Sequence, residues 1–140
     1  MEIGQKEHNL PLPPADKVLL QKQVQCKLDE IRQEAEEAYA LDKEIARVPD
    51  SAYQDAFLLL EILFNYDVPT TDIGWLMDGG IGFEWRSTDS NKIATMSIYG
   101  DNQVVYGASL GSACKVKGTC LLTDLVSLAR FLPTLKVLYS

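Results

Sequence analysis

Apolar and polar residues change their rhythm once along this chain, near residue 66, and the change divides it into a helical half and a sheet half. From Ala15 to Arg47 there is no Gly or Pro, and good helix formers dominate. Val24, Ile31, Ala38 and Ile45 recur every seven residues, and Leu28, Ala35 and Leu41 fill the adjacent stripe. This is a narrow apolar face on one long helix. Pro49-Asp50 ends it, and Ser51 with Gln54 reads as a capping box opening a second helix. Tyr53, Ala56, Phe57, Leu60, Leu63 and Phe64 keep helical spacing there, with Leu58, Leu59 and Ile62 flanking, so that helix is buried nearly all round.

Beyond Pro69 the period falls to two. Ile73 to Met77 is a short strand, and Asp78-Gly79-Gly80 reads as a tight turn in which glycines supply positive φ. Ile81, Phe83 and Trp85 then alternate with Gly82, Glu84 and Arg86, which makes a strand with one dry and one wet face. After a polar loop, Ser87 to Asn91, comes a strand at Lys92 to Tyr99, a turn at Gly100-Asp101-Asn102, and a strand at Gln103 to Leu110. Gly111 to Gly118 reads as loop. Thr119 reads as the N-cap of a last helix carrying Leu121, Leu122, Leu125, Leu128, Ala129 and Leu132, which Pro133 stops. Leu135 to Tyr139 is apolar enough to dock back on the body.

The expectation is therefore an α+β fold in one domain spanning 1–140. It comprises a Pro-rich arm over 1–14, a helical half over 15–66, and a sheet with a C-terminal helix over 67–140. The sheet is expected to be a four-stranded antiparallel meander. The long helix reaches some 50 Å at 1.5 Å per residue, more than a domain of this size can cover. A homodimer through Val24, Leu28, Ile31, Ala35, Ala38 and Ile45 is expected on that ground, with Leu41 on the same stripe. An intrachain antiparallel helix pair is the competing arrangement.

Composition narrows the classes. The apolar share of 46% and charged share of 24% are those of an ordinary globular protein. The longest apolar run, Ala56 to Phe64, is interrupted by Glu61 and falls far short of the ~20 residues of a membrane span. The N-terminal Met-Glu-Ile-Gly-Gln-Lys-Glu-His lacks the basic-then-apolar layout of a secretory signal. Cys26, Cys114 and Cys120 form an odd set without CxxC spacing. Reduced thiols and a cytoplasmic location are expected.

The net charge of −7 is unevenly laid out. Asp29, Glu30, Glu34, Glu36, Glu37, Asp42 and Glu44 face only Arg32 and Lys43, and between Asp50 and Asp101 the bases are Arg86 and Lys92 alone. After Asp101 the sign reverses, with Lys115, Lys117, Arg130 and Lys136 against Asp124. Such a body repels phosphate backbones, so no direct nucleic-acid contact and no membrane contact are expected. A basic or nucleic-acid-binding protein partner suits it, and so does the plainer role of keeping the chain soluble.

Pro69, the Asp78-Gly79-Gly80-Ile81 turn, Glu84-Trp85, the Gly100-Asp101 turn and Tyr106 carry a resemblance. Over residues 69–106 the chain resembles small bacterial proteins of unassigned function that share an Asp-Gly-Gly-Ile, two residues, Glu-Trp hairpin. It departs from them in having Gly100-Asp101-Asn102 in place of a plain Asp-Gly turn. The resemblance implies a small bacterial or phage-borne cytoplasmic protein, and no site.

Catalytic constellations are sparse. His8, in the proline-flanked arm, is the single histidine, so neither a Cys/His dyad nor a transition-metal site of usual ligand count can be assembled. Gly79-Gly80-Ile81-Gly82 lacks the Lys-Ser/Thr ending of a phosphate loop and precedes a strand, so a hairpin turn is the reading. Glu84 and Arg86, two apart on a strand, read as a solvated ion pair. Asp72, Asp78, Asp89 and Asp101 read as turn residues. Trp75 and Trp85 are expected to pack across the hairpin, with an aromatic binding platform as the alternative.

No catalytic, cofactor or metal residue is assigned, and no cofactor is expected. The expected function is that of a non-catalytic acidic interaction protein that binds and inhibits or regulates a macromolecule, as phage inhibitors of bacterial defence, antitoxins and immunity proteins do. Glu30, Glu34 and Glu37, spaced four and three apart on the first helix, are the chosen partner-binding patch. The alternatives are a small-ligand-binding or enzymatic α+β domain, with Glu84 as the carboxylate to test, and a structural subunit docking through its long helix.

Overall fold

A computed structural model describes residues 14–66, 71–88, 91–111 and 114–138. The Pro-rich arm with His8 lies outside the described residues apart from Pro14. The elements run α1 (Pro14–Leu41), α2 (Asp50–Asn65), β1 (Asp72–Trp75), β2 (Ile81–Arg86), β3 (Lys92–Ile98), β4 (Gln103–Leu110), β5 (Lys115–Leu121) and α3 (Leu125–Val137). The fold is α+β, with a five-stranded antiparallel sheet in the order β1-β2-β3-β4-β5. All neighbours in the sheet are sequential, as short connections favour.

Strand periodicity sorts the side chains. Ile81, Phe83 and Trp85 on β2, Ala94, Met96 and Ile98 on β3, and Val104 and Ala108 on β4 are buried. The register sets these positions opposite one another, Phe83 facing Met96 and Met96 facing Tyr106. The helices cover this inner face. α2 brings Ala52, Tyr53, Ala56, Leu59, Leu60 and Leu63, and α3 brings Leu128, Phe131, Leu132 and Leu135. The Phe131 ring lies 4.7 Å from that of Tyr106. The result is two layers with one core, and among the described residues no helix lies on the outer face of the sheet.

α1 and α2 form an antiparallel pair. Gln21 Nε2 donates to Glu61 Oε2 at 3.0 Å near one end, and Arg32 Nη1 donates to Asp50 Oδ1 at 2.6 Å near the other. Val24, Leu28, Ile31 and Ala35, expected to meet a second copy, are buried inside the single chain, Ile31 to 1% exposure. Ala38 is half-buried, and Ile45 lies outside the helix and is also half-buried. Four residues of the stripe therefore find their cover in cis, while Leu41 at the end of α1 is 90% exposed, and the length argument for a dimer through these six residues is gone.

Several boundaries differ from the expectation. α1 ends at Leu41, six residues before Arg47, where Asp42 Oδ1 accepts from Glu44 N at 3.0 Å. That local side-chain bond offers the backbone an alternative to helix. The Ser51 capping box is not made: the N-cap is Pro49, with no side-chain cap bond. The sheet has five strands, because Lys115–Leu121, read as loop and helix start, pairs along β4. α3 is capped by Asp124, which accepts from Ser127 N at 3.1 Å and from Ser127 Oγ at 2.7 Å. Pro133 sits inside α3 without stopping it. Its exposed side of the helix can give the freed carbonyl to water, while Leu128, Leu132 and Leu135 hold the buried side.

Trp75 and Trp85 are not cross-strand partners. Trp75 stands opposite Ile81, and Trp85 lies four residues further along β2. The hairpin loop is longer than two residues, so the register is set away from the tryptophan pair: Leu76 N donates to the Gly80 carbonyl at 2.8 Å, and Gly79 N to the Leu76 carbonyl at 3.0 Å. Of the two turn glycines only Gly79 has positive φ, +96°. Gly80 is needed for room, since a Cβ there would fall 2.6 Å from Tyr99 Cε1 and 2.8 Å from the Ile98 carbonyl oxygen.

Candidate functional site

Two surfaces carry unspent polar chemistry. The first is the solvent side of α1. Glu30, Glu34 and Glu37 are all exposed, on the side of the helix away from Val24, Leu28 and Ile31. At 100° per residue the three lie within one narrow row. None of them has an ion pair or hydrogen bond among the described residues.

Their neighbours behave differently. Glu36 takes two hydrogen bonds from Arg47, at 2.9 and 3.1 Å, and these hold its carboxyl below the usual range. Asp50 is likewise held low by the hydrogen bond from Arg32. Arg32 also lies over the Tyr53 ring at 4.1 Å, and Lys43 over Tyr39 at 4.1 Å. The cations at the C-terminal end of α1 are thus engaged by Glu36, Asp50 and two tyrosines, leaving the row of three glutamates uncompensated.

The second surface is the open face of the sheet. Its rows follow from the register. One runs Asp72, Glu84, Thr95, Gly107, Lys117, and the next runs Gly74, Gly82, Ser97, Val105, Thr119. The outward residues of β3 and β4 in these two rows carry no charge. Charges stand on the flanks: Asp72, Glu84 and Arg86 on β1 and β2, Lys115 and Lys117 on β5. Over β1 to β3 the face is hollowed into a groove of about 390 Å³, where Gly74 and Gly82 present no side chain and Leu76 folds over Gly82.

Glu84 and Arg86 form the expected pair at 2.5 Å, partly exposed. Asp72, directly opposite Glu84, has no side-chain partner among the described residues, and neither have Lys115 and Lys117. Two carboxylates facing each other across a strand pair are mutually unfavourable. Arg86, paired with Glu84, offsets part of that repulsion. Among the described residues no group of three or more His, Cys, Asp and Glu could hold a metal ion, and no helix is long and apolar enough to cross a membrane.

Sequence reasoning chose Glu30, Glu34 and Glu37 and found them on one exposed row. It read Asp72 as a turn residue, whereas Asp72 opens β1 opposite Glu84, and it assigned no role to Lys115 or Lys117. The signal for the lysines was available in the alternation of Val116, Gly118 and Cys120 with Lys115, Lys117 and Thr119. With β5 read as loop, that alternation had no partner strand to give it meaning. Comparison of the chain with protein-family models, curated proteins and solved structures returns no match.

Proposed function

We propose that this is a binding protein that acts by occupying a basic protein partner, without turnover, in the manner of an inhibitor or regulator. The observation that carries the reading is the row Glu30, Glu34 and Glu37, exposed and uncompensated on a helix whose other face is locked into the core. The helix backbone is held by the core, so only the three glutamate side chains need be ordered when cations dock on them. The net charge of −7 supplies a field that steers a basic partner and repels nucleic acid itself. A single histidine in the sequence agrees with recognition as the working principle.

Association should be fast at low salt and slow as ionic strength rises, because charges beyond ~10 Å are screened at 0.1 M. The test is comparative capture from the native host with the wild-type chain and the Glu30→Lys, Glu34→Lys, Glu37→Lys triple variant, followed by association rates for the protein identified. The reading requires a partner that the triple variant loses at unchanged thermal stability. A function that survives the triple change but is abolished by Glu84→Gln would replace it with a site in the sheet groove.

A further inference from the structure

We infer that the open face of the sheet is a contact between two copies of this chain, packed face to face about a two-fold axis along the strands, with Asp72 of each copy over Lys117 of the other.

The face is laid out as interfaces are, with a neutral centre and a charged rim. The outward positions of β3 and β4 are Ile93, Thr95, Ser97, Gln103, Val105, Gly107 and Ser109, none of them charged. A solvated sheet face carries polar residues, and Ile93 and Val105 depart from that. The rim is split by sign, acidic at β1 and basic at β5, and its outermost charges have no partner within the chain among the described residues.

Symmetry then selects one arrangement. A two-fold axis in the plane and perpendicular to the strands would set β1 on β1 and β5 on β5, like charge on like. An axis along the strands, over β3, sets β1 on β5 and β2 on β4 while preserving each row. Asp72 then meets Lys117 of the second copy. Stacked sheets lie ~10 Å apart, a gap that an aspartate and an extended lysine together span.

Shape agrees with charge. In the adjacent row the same operation places Val105, 44% exposed, over Gly82 of the second copy, and Thr119 over Gly74. In the first row Glu84 meets Gly107. Thr119 has open space over Gly74, and Val105 meets the apolar Leu76 side chain that lies over Gly82. Five strands ~4.8 Å apart and four to eight residues long give about 500 Å² per copy, at the lower edge of specific interfaces. Pairing edge to edge is the poorer choice, because β1 has four residues and β5 carries two lysines that guard it. The helices lie on the outside of such a dimer, so the glutamate rows of both copies stay free.

Sedimentation equilibrium from low micromolar to high micromolar concentration tests this directly. The wild-type chain is expected to dimerise, less strongly in high salt. Lys117→Asp alone and Asp72→Lys alone should each weaken the dimer by about tenfold, a change of about 1.4 kcal/mol. The double exchange should restore it, which no loss of folding could mimic. Val105→Glu should abolish it with the unfolding transition of the dilute monomer unchanged. A chain that stays monomeric throughout, or a dimer indifferent to both charge reversals, overturns the inference. So does a dimer whose concentration-dependent amide shifts fall on α1 and spare Thr95, Ser97 and Val105. The wild-type chain and the triple glutamate variant should dimerise alike, which separates this contact from the partner-binding row.

Discussion

Arg32 lies over the ring of Tyr53, 4.1 Å from its centroid, while the Tyr53 hydroxyl is buried without a hydrogen-bond partner among the described residues. The ring joins α1 to α2 through its face, and its oxygen contributes nothing to the contact. Burial pushes the Tyr53 hydroxyl above its ordinary pKa of 10.0. Removing that oxygen should therefore help. Tyr53→Phe is expected to raise unfolding stability by about 1 kcal/mol, since an orphaned buried hydroxyl costs 1–3 kcal/mol. Urea denaturation checks it, and a loss of stability would reveal a partner for the hydroxyl.

Trp85 is 1% exposed on the inner face, near the end of β2. Trp85→Ala leaves a cavity that the neighbouring strands cannot close, at an expected cost of about 3–5 kcal/mol. That is enough to unfold a marginal domain. A change below about 1 kcal/mol would place the ring at a surface.

Gly80 and Gly74 should respond oppositely to alanine. At Gly80 the new methyl meets the Ile98 carbonyl oxygen at 2.8 Å, and backbone cannot step aside as the Tyr99 ring can. Gly80→Ala is expected to cost about 1–3 kcal/mol. At Gly74 nothing lies within 4 Å and φ is ordinary, so Gly74→Ala should be neutral or stabilise by up to about 1 kcal/mol in dilute solution. Equal effects at the two sites would contradict the turn geometry.

Stability should fall on the acid side. Glu36, Asp50 and Asp124 are held below their ordinary values of 4.5, 3.8 and 3.8 by hydrogen bonds from Arg47, Arg32 and Ser127. Their folded forms release the proton more readily than the unfolded chain does. The stability they add is present above those ordinary values and is lost as pH falls through the lower, folded ones. Thermal melts between about pH 2 and pH 7 should show this limb. Arg32→Gln and Arg47→Gln should each flatten it, leaving the Asp124 contribution in place. A limb unchanged in the double variant would place the acid sensitivity elsewhere.

Asp124→Ala should lower the urea midpoint with little change in slope, because it removes the side-chain cap of α3 and both bonds to Ser127. Thr119→Ala should leave α3 intact, since Thr119 lies in β5. The reverse pattern would restore Thr119 as the helix start.

Local rules settle much of this molecule. Alternation along Ile81–Arg86 and Gln103–Leu110 gives both strands with their bounds and their buried sides, because neighbouring Cβ atoms in a strand must point to opposite faces. Helical spacing likewise gives the interior stripe Val24, Leu28, Ile31 and Ala35, and the opposite row Glu30, Glu34 and Glu37. What covers that stripe is a different question. The same residues suit a second copy or the chain's own α2, and only the docking of α2 across α1, tied by Arg32 to Asp50, decides for the latter. β5 is the other case. Lys115–Leu121 alternates, but with only Val116 and Cys120 as inward apolar groups beside a glycine, so its own pattern is too weak to mark a strand and pairing with β4 decides it. Its pairing also sets Lys117 in one row with Asp72. Residues forty-five positions apart acquire a common face only when the sheet closes the distance, because register is a property of strand pairs and no single strand carries it.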